Sequence, residues 1–179
     1  MATATPPSST ATAAPVVESI VAAYKTHEEA EAAVRKIEKA GVPIAHVSII
    51  GRDFKVREDI AGYYHPSDAA KEGFGAWFGG LFGLLLGFGF FVFPVSPLVV
   101  LGPLAGMIAG AATGAGIGAL VSALMAMGLS KDEALKYHSR IEAGEFLVTV
   151  MGSPDEIARA RSILENTGQV DLNQFQKAA

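Results

Sequence analysis

The chain has no cysteine, which excludes disulfide scaffolds, thiolate nucleophiles and cysteine-held metal sites. It has no excess of basic charge. Its 14 Lys and Arg stand against 18 Asp and Glu, a formal net charge of −4, which argues against a general nucleic-acid surface. The basic start and apolar core of a signal peptide are missing from its first residues. The largest absence is regional: residues 73–130, a run of 58, hold no Asp, Glu, Lys, Arg or His.

What fills that run is apolar and rich in glycine. Glycine recurs every fourth residue in two series, Gly75, Gly79, Gly83, Gly87 and Gly102, Gly106, Gly110, Gly114, Gly118, with Pro94 and Pro97 between them. On a helix this period aligns glycines along one face, where a second helix can approach closely. The two arms, 73–93 and 98–127, supply 21 and 30 residues. A bilayer core needs roughly 20. The expectation is an apolar glycine-zipper α-helical hairpin over residues 73–128, associated with a membrane, in which those nine glycines are the helix-packing and oligomerisation residues. The turn at 92–103 carries no charge, so three arrangements stay open: a spanning hairpin, a re-entrant one, or one buried in a soluble assembly. Tyr63, Tyr64 and Trp77 fall where an interfacial aromatic belt would lie.

The flanks read differently. Residues 1–15 have too few large apolar side chains to pack and are expected to be a disordered tail. Residues 16–52 form a first βαβ half: a strand over 16–24, a helix opened by the capping box of Thr26 and Glu29 and closed at Gly41, and a strand over 42–51. A charged connector occupies 53–72. After the hairpin, residues 129–172 make a second half, αβαβ. There Ser130 with Glu133 and Ser153 with Glu156 start helices, a strand lies at 145–152, and a short last strand spans 169–172. Residues 173–179 read as a loose tail. Neither half has enough core alone. Together they give α+β order, and the expected fold is a ferredoxin-like split βαβ domain interrupted by the hairpin. Basic residues among the acids of both flanks, such as Arg52, Lys55, Lys131 and Arg140, favour a soluble domain on the cytoplasmic side.

The segment Ala22-Ala23-Tyr24-Lys25-Thr26 before a Glu- and Ala-rich helix, the central glycine-repeat stretch, and Gly144-Glu145-Phe146-Leu147-Val148-Thr149-Val150 resemble the bacterial general stress and low-temperature-induced proteins. The resemblance covers residues 16–172. It implies a bacterial, stress-linked, membrane-associated protein and brings no catalytic residues with it.

The residues themselves point to no reaction. His27, His46, His65 and His138 lack metal-ligand spacing. His27, inside a capping box, is expected in solvent, and His65, between Tyr64 and Pro66, is the most site-like of the four. Acid pairs such as Glu28/Glu29 and Asp132/Glu133 sit at helix starts, where they complement the helix dipole. The glycines form neither a phosphate loop nor a dinucleotide fingerprint. The expectation is therefore a protein that is not an enzyme, with no catalytic, cofactor or metal site and no cofactor. Its leading function is a membrane-associated, stress-linked assembly protein that homo-oligomerises through the glycine helices. The partners that follow are a second copy, the lipid bilayer and an unidentified protein, with no nucleic acid. The alternatives are a membrane-anchored regulatory module that binds a ligand or partner, and a pore or permeability-modifying protein.

Overall fold

The computed structural model describes residues 17–52, 90–92, 98–110 and 117–176. Strand β1 (Glu18–Tyr24) is buried along its whole length, and helix α1 (His27–Lys39) follows it. The Thr26 hydroxyl accepts from the Glu29 amide while the Glu29 carboxylate accepts from the Thr26 amide, so two orphan donors of the first turn are satisfied. Gly41, at φ +81, ends the helix in the left-handed region that glycine tolerates. The strand anticipated from residue 42 starts later. Pro43 leads into a single 3-10 turn, Ile44–His46, and only then does β2 (Val47–Arg52) begin.

The apolar run departs most from expectation. Phe90–Val92 is strand β3 and Leu98–Leu101 is strand β4, paired antiparallel. Two short helices follow: α2 (Pro103–Gly110), of 8 residues, and α3 (Ile117–Ala126), of 10. No helix among the described residues is long and apolar enough to cross a membrane. The described part of the expected hairpin's second arm is thus a strand, a bend and two helices, and the membrane-associated glycine-zipper function is overturned with it. The physical reason is that a protein interior accepts the same apolar residues as lipid does. Here β4 lies along the edge of β2, Ile50 opposite Val100 and Gly51 opposite Val99. Pro97 and Pro103 bracket a segment with two consecutive valines, a combination that favours extended backbone over helix.

Helix α4 (Lys131–Glu142), strand β5 (Phe146–Gly152), helix α5 (Pro154–Leu164) and strand β6 (Asp171–Gln176) complete the chain. Both expected capping boxes, Ser130 with Glu133 and Ser153 with Glu156, are formed, and Pro154 occupies the start of α5. The last strand runs to Gln176, well past the boundary at 172 read from the sequence.

All six strands form one antiparallel sheet in the order β3-β4-β2-β5-β1-β6. The first half supplies β1 and β2 and the second β5 and β6, interleaved so that β5 lies between β2 and β1. The architecture is α+β, with helices on both faces. On one face α1 and α5 cover Ile20, Ala22, Tyr24, Ile49, Val148 and Val150. On the other, α2, α3 and α4 cover Val21, Ala23, Ile50, Val100 and Leu147. The alternation along β1 explains why both faces are apolar: odd residues go one way and even residues the other.

Two contacts lock the second layer to the sheet. Gly102, at φ +98, lets the chain turn from β4 into α2 directly over β2, and the buried Ser48 hydroxyl accepts from the Leu104 amide at 3.1 Å. A strand side chain thereby caps a helix distant in sequence. After α3, the Ser19 hydroxyl of β1 donates to the Met127 carbonyl at 2.8 Å.

Candidate functional site

Two places carry polar chemistry that the fold does not need for its core. The first is on α1. Spacing of four residues sets His27 and Glu31 on one side of the helix, with His27 Nε2 3.2 Å from Glu31 Oε1. The Glu31 side chain is only 7% exposed, and burial pushes its carboxyl up to about 7, against the pull of Arg35 and with a further push from Glu28. Burial likewise lowers His27, opposed by Glu28. The His27 ring lies 5.5 Å from the Phe146 ring at the start of β5. Burial thus disfavours the charged form of each group. Sequence reasoning set His27 in solvent. The structure half-buries it, because the first turn of α1 packs over Phe146.

The second place is the β6 edge. Its inner side pairs with β1 over six residues, from Glu18 opposite Gln176 to Ala23 opposite Asp171. Side chains on both faces hold it there. On one face Gln174 Nε2 and Gln176 Nε2 each donate to the buried Glu18 carboxylate at 2.7 Å, and Arg161 donates to Gln174 Oε1 at 3.1 Å. On the other, Asn173 Nδ2 donates to the Tyr137 hydroxyl at 2.8 Å and to Asp171 Oδ1 at 2.9 Å, and Lys136 Nζ reaches Asp171 Oδ2 at 2.8 Å. Burial pushes the Tyr137 hydroxyl up to about 12, so it stays protonated. Burial also acts on Asp171 in the upward direction, but the Lys136 ammonium outweighs it and holds the carboxyl below its usual range. Among the described residues no strand pairs with the outer side of β6. Four of its residues are half-buried, Phe175 is buried and Gln176 exposed.

The glycines singled out from the sequence are scattered among several roles. Gly102 makes the close approach described above. Gly106 and Gly118 lie on α2 and α3, where a Cβ would meet none of the described residues. Gly110 ends α2. Gly75, Gly79, Gly83, Gly87 and Gly114 lie outside the described residues, as do His65, Tyr63, Tyr64 and Trp77. His46 stands 3.5 Å from Glu156, and His138, nearly buried on α4, stands 3.8 Å from Glu142. Among the described residues no group of three or more His, Asp or Glu is placed to hold a metal ion.

A sheet with helices on both faces, a close His27–Glu31 pair on α1 and a pinned edge strand describe an α+β domain. Residues 19–90 match the heat-induced stress protein YflT domain, a bacterial stress-protein family, in line with the resemblance read from the sequence. The match takes in β1, α1 and β2. No curated protein and no solved structure matches the chain.

Proposed function

We propose that the protein is a non-catalytic binding domain of the bacterial stress response, built on a ferredoxin-like split βαβ core, and that β6 is its binding edge. The fold reading is supported by the order β2-β5-β1-β6, in which each of two βαβ crossovers steps over one strand of the other. The strands β3 and β4 then extend that core past β2, and α2 to α4 add a layer on its second face.

The observation that carries the binding role is the outer side of β6, with which no strand pairs among the described residues. Helices cover both faces of the sheet, so the edge is where its backbone can still recruit a partner. An edge of this kind presents a row of amide and carbonyl groups to which an extended segment can add as a further strand. Natural edges are usually blunted by lysine, proline, a bulge or very short length. Asp171–Gln176 has no lysine or proline and stays in continuous register with β1.

The test is survival of heat or cold stress in the native host with its own copy replaced. Gln174→Lys with Gln176→Lys sets blunting charges on the edge beside Glu18, where they keep a donor for its carboxylate. His27→Gln with Glu31→Gln removes the titratable pair on α1 instead. The proposal expects loss of protection with the edge variant and retention with the other, both proteins being folded by circular dichroism. Full protection with the edge variant would refute it.

A further inference from the structure

We propose that Glu18 is the positioning residue of the β6 edge: its buried carboxylate clamps the second half of the strand, Gln174 to Gln176, onto β1. This rests on the reading of β6 as a binding edge and names what holds that edge in place.

A carboxylate taken out of water is costly unless its oxygens are hydrogen-bonded. Glu18 opens β1 and is only 6% exposed. Among the described residues no Lys, Arg or His forms an ion pair with it. Its side-chain donors lie on β6: Gln174 Nε2 reaches Oε2 and Gln176 Nε2 reaches Oε1, each at 2.7 Å. Hydrogen bonds to a charged acceptor are about twice as strong as neutral ones. The register sets Gln176 directly opposite Glu18 and Gln174 two positions along on the same face. A β6 displaced along β1 would bury the acid with one of these donors or neither, so the two bonds together select this register.

The Gln174 carboxamide has a second partner. Its Oε1 accepts from Arg161 Nη1 at 3.1 Å, and Arg161 Nε donates to Glu165 at 2.9 Å. Gln174 therefore bridges a cation of α5 and the buried anion of β1, its amide turned one way by charge at both ends. The first half of β6 has holds of its own on the other face, Asn173 on Tyr137 and Lys136 on Asp171. Phe175 is the one buried apolar side chain of the strand. Without Glu18 it is what remains to seat the second half. An edge element held in this way opens locally, without the rest of the sheet, and backbone amide exchange reads that opening directly.

The test is hydrogen exchange of the full chain, followed residue by residue. Glu18→Met keeps the bulk of the side chain and removes its oxygens, whereas Glu18→Gln keeps an acceptor. Replacing a buried charge by an apolar group often leaves overall stability unchanged, so Tm does not read this role. Glu18→Met should lower protection from Gln174 to Gln176 about tenfold or more, the loss of hydrogen bonds to a charged group. Glu18→Gln should retain most of it, and the amides of β5 should keep native protection in both. Gln174→Met with Gln176→Met removes the same two bonds from the β6 side and should give the same local loss, so the test stands even where Glu18→Met does not fold. Native protection of that stretch in these Met variants, equal loss in Glu18→Met and Glu18→Gln, or a fall shared equally by β5 and β6 would each overturn the proposal. The two readings fail separately. A Glu18→Met chain with a loosened β6 that still protects the host fully against stress keeps the clamp and sinks the binding edge. A β6 that stays tight without Glu18 sinks the clamp and leaves the edge standing.

Discussion

Substituting glycines in the second series separates the two ways this sequence can be understood. At Gly102 the backbone is left-handed, where an alanine costs roughly 1–2 kcal/mol. Its Cβ would stand 2.9 Å from the Ser48 Cα and collide with the Val47 carbonyl oxygen. Both obstacles are backbone, so β2 and the start of α2 must part. That stretches the hydrogen bond from the Leu104 amide to Ser48, worth about 1 kcal/mol. Together these come to about 2–3 kcal/mol, a large share of the 5–15 kcal/mol typical of a domain. Gly106 and Gly118 are the opposite case. Both are helical and a Cβ at either meets nothing within 4 Å among the described residues. Alanine there should stabilise by about 0.5–1 kcal/mol each. In thermal unfolding followed by circular dichroism, where 1 kcal/mol moves Tm by roughly 2–4 °C at this size, Gly102→Ala should lower Tm by about 5–10 °C. Gly106→Ala should raise it by about 2–3 °C on the same scale. If Gly106→Ala destabilises as much as Gly102→Ala, that glycine is part of a packed helix face and the layered fold is wrong in this region.

Other perturbations follow from the same structure. Glu31 is raised in the folded state to about 7 from 4.5, so the folded chain holds the proton more tightly than the unfolded one. Its effect on stability is neutral below the unfolded value, and a penalty grows as pH rises towards the folded value. Glu31→Gln, which mimics the protonated acid, should therefore raise stability at pH 8 by on the order of 2 kcal/mol and flatten the decline between pH 5 and 7 in urea titrations. His27, lowered by burial, acts in the other direction: below its ordinary 6.5, acid should charge it and cost stability, and His27→Gln should remove that loss. Ser48→Ala leaves the Leu104 amide unsatisfied in a buried place and should cost about 1–3 kcal/mol by denaturant midpoint. Leu124→Ala, at a fully buried position of α3, should cost about 2–5 kcal/mol. A negligible effect would mean α3 is not packed on the sheet.

What could be read from the sequence was what is decided locally. The boxes at Thr26, Ser130 and Ser153 need only residues three apart, and each is formed. Gly41 and Gly168 take the positive φ that ends a helix or turn. The alternating apolar strands β1 and β5, and the meeting of the two halves in one sheet, were legible because both need apolar faces. What was not legible depends on distant partners. An apolar segment reads alike in lipid and in a protein core, so Leu98–Leu101 gave no sign that it would pair with β2. The four-residue spacing that includes Gly102 suggested a helix face, whereas the need for glycine at that position comes from Val47 and Ser48, more than fifty residues away. β6 was cut short because Asn173, Gln174 and Gln176 lack β propensity, and their partners Tyr137 and Glu18 are far off in sequence. Glu31 was not singled out in the sequence, and nothing in its neighbours announced its burial.

The central claim is that Leu98–Leu101, within the uncharged run, pairs with β2 as a strand rather than forming part of a helical hairpin. Cross-strand nuclear Overhauser effects in detergent-free buffer test it most directly. The account predicts contacts between Gly51 and Val99 and between Ile50 and Val100, with slow exchange of their paired amides. Helical contacts from residue 98 to 101, appearing only when detergent is added, would contradict it.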